Sequence, residues 1–180
     1  MFQKSKIITA LFSLTLLASA AFAGDKEGVP HSSDRFLKSA AHGGNAEVSL
    51  AKLALQKASN PDIQDFAKTM IADHEAAHTE LMSLAKPMKV VLPTKIGARR
   101  DGIERKLRKL NDRDRAFDRG YIEQVIEDHD KAIKLYEKEA AHGTDTTVKA
   151  WAAAALPKLK EHRNMAATLS TKLNSKQNMN

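Results

Sequence analysis

From Ser33 onward, the apolar residues of this chain recur three and four positions apart and almost never two apart. That period belongs to a helix that turns one face toward a core; a half-buried strand would alternate. The spacing predicts a first helix over about Asp34–Ala58, with Phe36, Ala40, Val48, Ala51, Ala54, Leu55 and Ala58 on one face. Ser32, Ser33 and Asp34 are each suited to cap it. Asn60-Pro61-Asp62 reads as a cap followed by proline in the first turn. It opens a second helix carrying Ile63, Phe66, Ala67, Met70, Ile71, Leu81, Leu84 and Ala85, which Pro87 and Pro93 bring to an end. Residues 88–114 are the least regular stretch, with a short helix suggested by Ile103, Leu107 and Leu110. A third long helix over about Arg115–His142 carries Phe117, Tyr121, Val125, Ala132, Ile133 and Tyr136. Gly143-Thr144-Asp145 divides it from a fourth, with Val148, Trp151, Ala152, Ala155, Leu156, Leu159, Ala166, Leu169 and Leu173. Pro157 predicts a kink in the fourth helix, and Gly43-Gly44 a bend or break in the first.

Four such helices predict an all-α four-helix bundle. The connections are tight, long, tight, and the long middle one has the length to cross the bundle. That is ferritin-like connectivity, two helical hairpins joined by a crossover; a plain up-down bundle with a loose middle loop is the alternative. Composition agrees: 8 glycines, 5 prolines, 42% hydrophobic and 28% charged residues suit a globular helical chain. With no cysteine among 180 residues, a disulfide scaffold, a thiolate-held metal and a thiol nucleophile are all excluded. A weak internal repeat, Ile71–Ala77 against Ile126–Ala132, puts an Asp-His pair in the middle of the second and the third long helix.

The first 23 residues read differently. Lys4 and Lys6 precede an apolar run from Ile7 to Leu17, and Ala21-Phe22-Ala23 offers a small-x-small cleavage site. This is the layout of a secretory signal peptide, too short to span a membrane. The expectation is export, to the periplasm in a Gram-negative bacterium, with no later stretch apolar enough to span. Residues 24–33 are then a flexible N-terminus, 34–174 the helical domain and 175–180 a polar tail.

The histidines carry the chemistry. His74, His129 and His162 fall within the apolar stripes of the second, third and fourth long helices, and Glu47 within that of the first. All four lie near the middle of their helices. Three imidazoles and a carboxylate, inward and at one height, suit a divalent transition metal: zinc, iron, manganese or copper. The competing reading is a buried polar cluster that only fixes helix register. Asp73 and Asp128 precede two of the histidines and would sit at helix seams, where each could orient a neighbouring imidazole. Asp118 and Tyr121 are further candidates for a supporting or alternative ligand.

Two other patterns compete for the same residues. His74-Glu75-Ala76-Ala77-His78 matches the zinc-hydrolase motif H-E-x-x-H, yet no strand edge or convincing third ligand accompanies it. The pair could still chelate an ion without catalysis. Glu75-x-x-His78 and Glu139-x-x-His142 match the Glu-x-x-His of di-iron bundles, but the second falls at a helix end. No other catalytic constellation or Gly-rich phosphate loop is present, so an enzyme is not the expectation. Residues 89–115 are strongly basic, with Arg99, Arg100, Arg105, Lys106, Arg108 and Lys109 at their centre. A solvated face explains such a run; association with anionic envelope lipid or lipopolysaccharide is the functional reading. Export and the lack of interleaved aromatics argue against nucleic acid.

A family resemblance rests on Asp34-Arg35-Phe36, Ala40-Ala41, Gly44, Glu47-Val48, Asn60-Pro61, Phe66-Ala67, Met70 and Asp73-His74. It continues through Phe117-Asp118, Tyr121, His129, Trp151-Ala152, Leu156-Pro157, Leu159 and His162. Taken in order, these resemble a bacterial exported family of unknown function with a ferritin-like predicted fold, whose members carry an outer-membrane label. The resemblance implies a pattern that includes Glu47, Asp73, His74, Asp118, His129 and His162. It usually has Asn where this chain has His78, which weakens the zinc-hydrolase reading. It implies no activity.

Overall fold

The structure is a computed structural model that describes residues 33–96, 98–110 and 115–175. The expected signal peptide, most of the expected flexible N-terminus and residues 176–180 of the expected tail lie outside the described residues. So does the side chain of Arg99.

Five helices and no strand make up the described residues: α1 Ser33–Lys57, α2 Pro61–Ala85, α3 Ala98–Lys109, α4 Ala116–His142 and α5 Thr146–Ser175. Their ends follow the local chemistry. Asn60 is extended and its side chain accepts from the Asp62 amide, with Pro61 opening α2. Asp145 Oδ1 accepts from the amides of Thr147 and Val148 and so caps α5. The Gly143 amide closes α4 on the Glu139 carbonyl.

Gly43-Gly44 does not break α1, which runs unbroken for 25 residues. A glycine in mid-helix costs only about 1 kcal/mol against alanine, far less than the apolar burial on either side supplies. α5 continues for 30 residues through the expected kink position at Pro157, which removes one rung of its ladder. The buried face of α1 is wider than the expected one, with Phe36, Ala40, Ala51 and Ala54, and Ala58 just past its end, buried as expected. Leu37, Ala41, Leu50 and Leu53 point inward, whereas Leu55 is 36% exposed. α1 packs against α2, α4 and the middle connection at once, and three neighbours pull its face wider than one stripe.

The four long helices close a ring, α1 on α2 and α4, α5 on α4 and α2. Polar ties at the helix ends fix the directions. Asp118 at the start of α4 binds Ser59 and Asn60 at the end of α1. Ser33 at the start of α1 donates to Glu139 near the end of α4 at 2.6 Å. α1 and α4 therefore run antiparallel. Lys172 of α5 meets Asp62 of α2, and Trp151 meets Glu80, so α2 and α5 do the same. The middle connection travels the length of α1: Lys95 at His42, Pro93 at Asn45, Glu104 at Ser49, and the carbonyls of Arg108 and Leu110 at Lys57.

The apolar core falls into two clusters. One surrounds Leu53, Phe66, Phe117, Tyr121 and Leu169 near the α1–α2 turn. The other surrounds Phe36, Leu37, Leu81, Tyr136 and Leu159 at the opposite end. On each long helix, the residue between the two clusters is one of Glu47, His74, His129 and His162. The site is thus a polar layer held between two apolar blocks.

Candidate metal centre

Each wall of the polar layer comes from a different helix. His129 sits one turn after Val125, and its Nδ1–H donates to the Val125 carbonyl at 3.0 Å. A carbonyl only accepts, so the proton is on Nδ1 and the Nε2 lone pair is bare. His162 Nε2 is 2.8 Å from Asp73 Oδ2, across the α2–α5 seam. Donation to that carboxylate leaves the Nδ1 lone pair of His162 bare. His74 makes no hydrogen bond within the described residues. Nε2 of His74, Nε2 of His129 and Nδ1 of His162 are all shut off from solvent and unpartnered.

The three rings face one another, with centroids 5.5 to 5.7 Å apart. One nitrogen from each lies within 4.8 Å of the other two. His129 and His162 are each 1% exposed, so water does not satisfy their unpartnered nitrogens. Burial first, then the neighbouring His129 and His162, push the His74 pKa down to about 3. Burial and His162 push His129 down to about 4, against the opposing pull of its bond to Val125 and of Asp130. Both rings are therefore neutral in ordinary conditions, which is the form that ligates a metal.

Glu47 lies beside this trio rather than within it. It is 4% exposed, with Oε1 3.8 Å from His129 Nδ1 and Oε2 unpartnered. Burial, then repulsion from Asp128, hold its carboxyl well above the usual carboxylate range despite the attraction of Arg100. The fully buried Tyr121, its hydroxyl also unpartnered, has its own pKa raised by burial and by Glu47.

The other sequence candidates are placed as follows. Asp73 orients His162, as the helix-seam argument anticipates. Asp128 stands in the wall of the neighbouring cavity, accepting from Gln124 at 3.0 Å and standing 3.5 Å from Arg100. Asp118 is taken up by the amides of Ser59 and Asn60 and the Ser59 hydroxyl. Glu75 is ion-paired with Lys52 at 2.9 Å on the surface, and His78 is half-buried one turn beyond His74. In the basic segment, Arg108 is bound to Glu104 and Arg100 turns inward, while Arg105, Lys106 and Lys109 are exposed.

Two cavities reach the trio. One, of about 160 Å³, opens between α1 and α4 beside α3; Gly43, Glu47, His74, Arg100, Asp128 and His129 line it. The other, of about 470 Å³, opens between α1 and α2; Asn45, Ser49, Lys52, His74, Glu75 and His78 line it. The sequence analysis missed Arg100 as a wall of the first cavity. Gly43-Gly44, in the sequence a candidate bend or break, leaves space beside His74: a side chain begun at Gly44 would stand 4.0 Å from His74 Nδ1.

A family model described as a domain of unknown function (DUF4142) matches residues 18–169. The chain belongs to that family. The DUF4142 assignment agrees with the resemblance read from the sequence, to a family without an assigned activity. A solved structure described as CopM in the Cu(II)-bound form resembles this DUF4142 chain with a TM-score of 0.67. The match covers 80% of this chain and 99% of that one at 16% identity, a likeness of fold. No curated protein matches the sequence. No helix among the described residues is long and apolar enough to cross a membrane.

Proposed function

We propose that the chain is an exported, ferritin-like helical bundle that binds one transition-metal ion between His74, His129 and His162. The observation that carries this reading is a trio of imidazoles that bring one ring nitrogen each within 4.8 Å of the other two, with an unpartnered, solvent-shielded nitrogen on every ring. Three imidazoles suit copper or zinc, and oxygen-preferring ions such as magnesium and calcium far less. Bonds of about 2.0–2.1 Å to the ion require the rings to close inward slightly. Asp73 orients His162, while Glu47, with Oε1 3.8 Å from His129 Nδ1, is the carboxylate beside the trio. Copper is the ion to test first, since a protein of similar fold has been solved with Cu(II) bound.

The test is elemental analysis and copper titration of the untagged chain, beside His74→Ala and His162→Ala. The expected result is one ion per chain, lost in both variants. Equal binding by the variants, or none by the parent even after reconstitution, would sink the reading and leave the trio as a polar layer that sets helix register.

A second reading concerns the envelope. Arg105, Lys106 and Lys109 project from the outer face of α3, where they would meet anionic lipid or lipopolysaccharide phosphates. Salt-sensitive binding to anionic vesicles, abolished when the three are neutralised, is the expected outcome; unchanged binding refutes it.

A further inference from the structure

We infer that His74 and His78 form a second, outer cation site through which an ion reaches the core trio by way of the α1–α2 cavity. The inference rests on the metal-binding reading above and adds a route and a second ligand pair to it.

His74 is the one histidine of the trio that belongs to both cavities. His78 follows it by four residues, so the two imidazoles rise from one face of α2 as neighbours. Both line the 470 Å³ cavity, the wider of the two. Neither makes a hydrogen bond within the described residues, and Nδ1 of His78 is sealed and unpartnered. A helical His pair at this spacing is a recurrent bidentate site for borderline divalent ions. His74 is the hinge of the scheme because its two nitrogens have different surroundings. Nε2 is the shielded atom, whereas Nδ1 lies toward Gly44, which lines both cavities. An ion first held by His78 and His74 therefore needs to travel only across one ring to reach the trio. The other cavity is smaller and lacks a second histidine beside its entrance; its Arg100 is paired with Asp128 as Lys52 of the wider one is with Glu75, so size and the His78 ligand, not charge, favour the α1–α2 route.

The test uses the full chain, stripped of metal, with Cu(II) as the probe in stopped-flow absorbance and EPR titrations. The parent takes up one ion at the core and, trapped earlier by rapid freezing, shows a second signal with a two-nitrogen EPR signature, since a neutral His74 ring offers one bare nitrogen and serves one ion at a time. His78→Ala loses that second signal and loads the core about tenfold more slowly, because a ligand one turn away acts at high effective concentration. Its final core occupancy is unchanged. Gly43→Val, which narrows the other cavity at a position with nothing within 4 Å of an added Cβ, loads at the parent rate.

The inference is overturned if His78→Ala keeps the second signal or loads normally, or if Gly43→Val is the slow variant. Failure of the core reading looks different: a single ion that is lost in His78→Ala and kept in His162→Ala would leave the outer site standing alone. Since His78 is half-buried, far-ultraviolet circular dichroism suffices to confirm that its variant is folded, and His78→Asn provides a polar replacement.

Discussion

Asp73 and the Val125 carbonyl each engage one ring nitrogen of a histidine and thereby choose which nitrogen is left bare. Asp73→Asn keeps an acceptor for His162 but removes the charge that makes the ring a strong donor. It should weaken copper affinity about ten- to a hundredfold, measured by competition with a chelator of known affinity, with the fold intact; an unaltered affinity would show that Asp73 has no such influence. Asp118 was legible as a buried acid but not as to its purpose. Its partners lie 58 and 59 positions away in a turn, and no local pattern announces them. Asp118→Ala leaves two backbone amides and a hydroxyl without their acceptor. The expected loss is about 2–4 kcal/mol of stability in urea unfolding, with copper affinity retained. A drop in affinity without a drop in stability would instead assign Asp118 to the metal.

At the level of elements, α3 is the piece whose attachment can be loosened by a single change. Leu107 and Leu110 set it against Gly120 of α4 so closely that a Cβ there would stand 3.0 Å from both leucines. Gly120→Val should lift α3 and cost about 1–3 kcal/mol as an overpacked contact. Hydrogen exchange would reveal it as lost protection in residues 98–109 while α4 and α5 stay protected; uniform protection would show that the leucines simply shift. The sequence disclosed α3 only in part. Ile103, Leu107 and Leu110 marked its apolar side, but its first turn is built from polar and charged residues. These continue a helix by propensity without leaving a hydrophobic period. The long helices were legible because each has a stripe of several turns. The exact face of α1 was not, since contact with three neighbours is a tertiary fact that no single stripe encodes.

For the molecule as a whole, two apolar blocks enclose a layer in which two histidines, His74 and His129, resist protonation. An unfolded histidine titrates near 6.5, whereas folded His74 and His129 do so at about 3 and about 4. Between those values the unfolded chain holds protons that the folded chain refuses. The stability of the metal-free protein is therefore greatest above about pH 6.5 and falls toward pH 4, by about 1.4 kcal/mol per pH unit for each of the two rings. Glu47 works in the opposite direction: its raised pKa lets the folded chain hold a proton that the unfolded chain releases, so its contribution fades as pH rises. Two groups oppose one, and urea midpoints should drop between pH 7 and pH 5. A flat profile would mean that the rings are far more hydrated than their burial implies. The equal height of the four polar residues was readable from helix positions alone; which nitrogens remain bare was not, because that depends on partners across a seam.

The trio also draws on both hairpins, with His74 in α2 and His129 and His162 in α4 and α5. A chain of 180 residues without cysteine has no covalent cross-link between its halves. An ion held by these three side chains would pin residue 74 to residues 129 and 162, closing the longest connection into a loop. It would do so as a fastener indifferent to thiol reductants, tightened by supply of the ion and released by chelation. The mechanical coupling of the two halves would then follow the metal content of the surroundings, with no enzyme needed to make or break it.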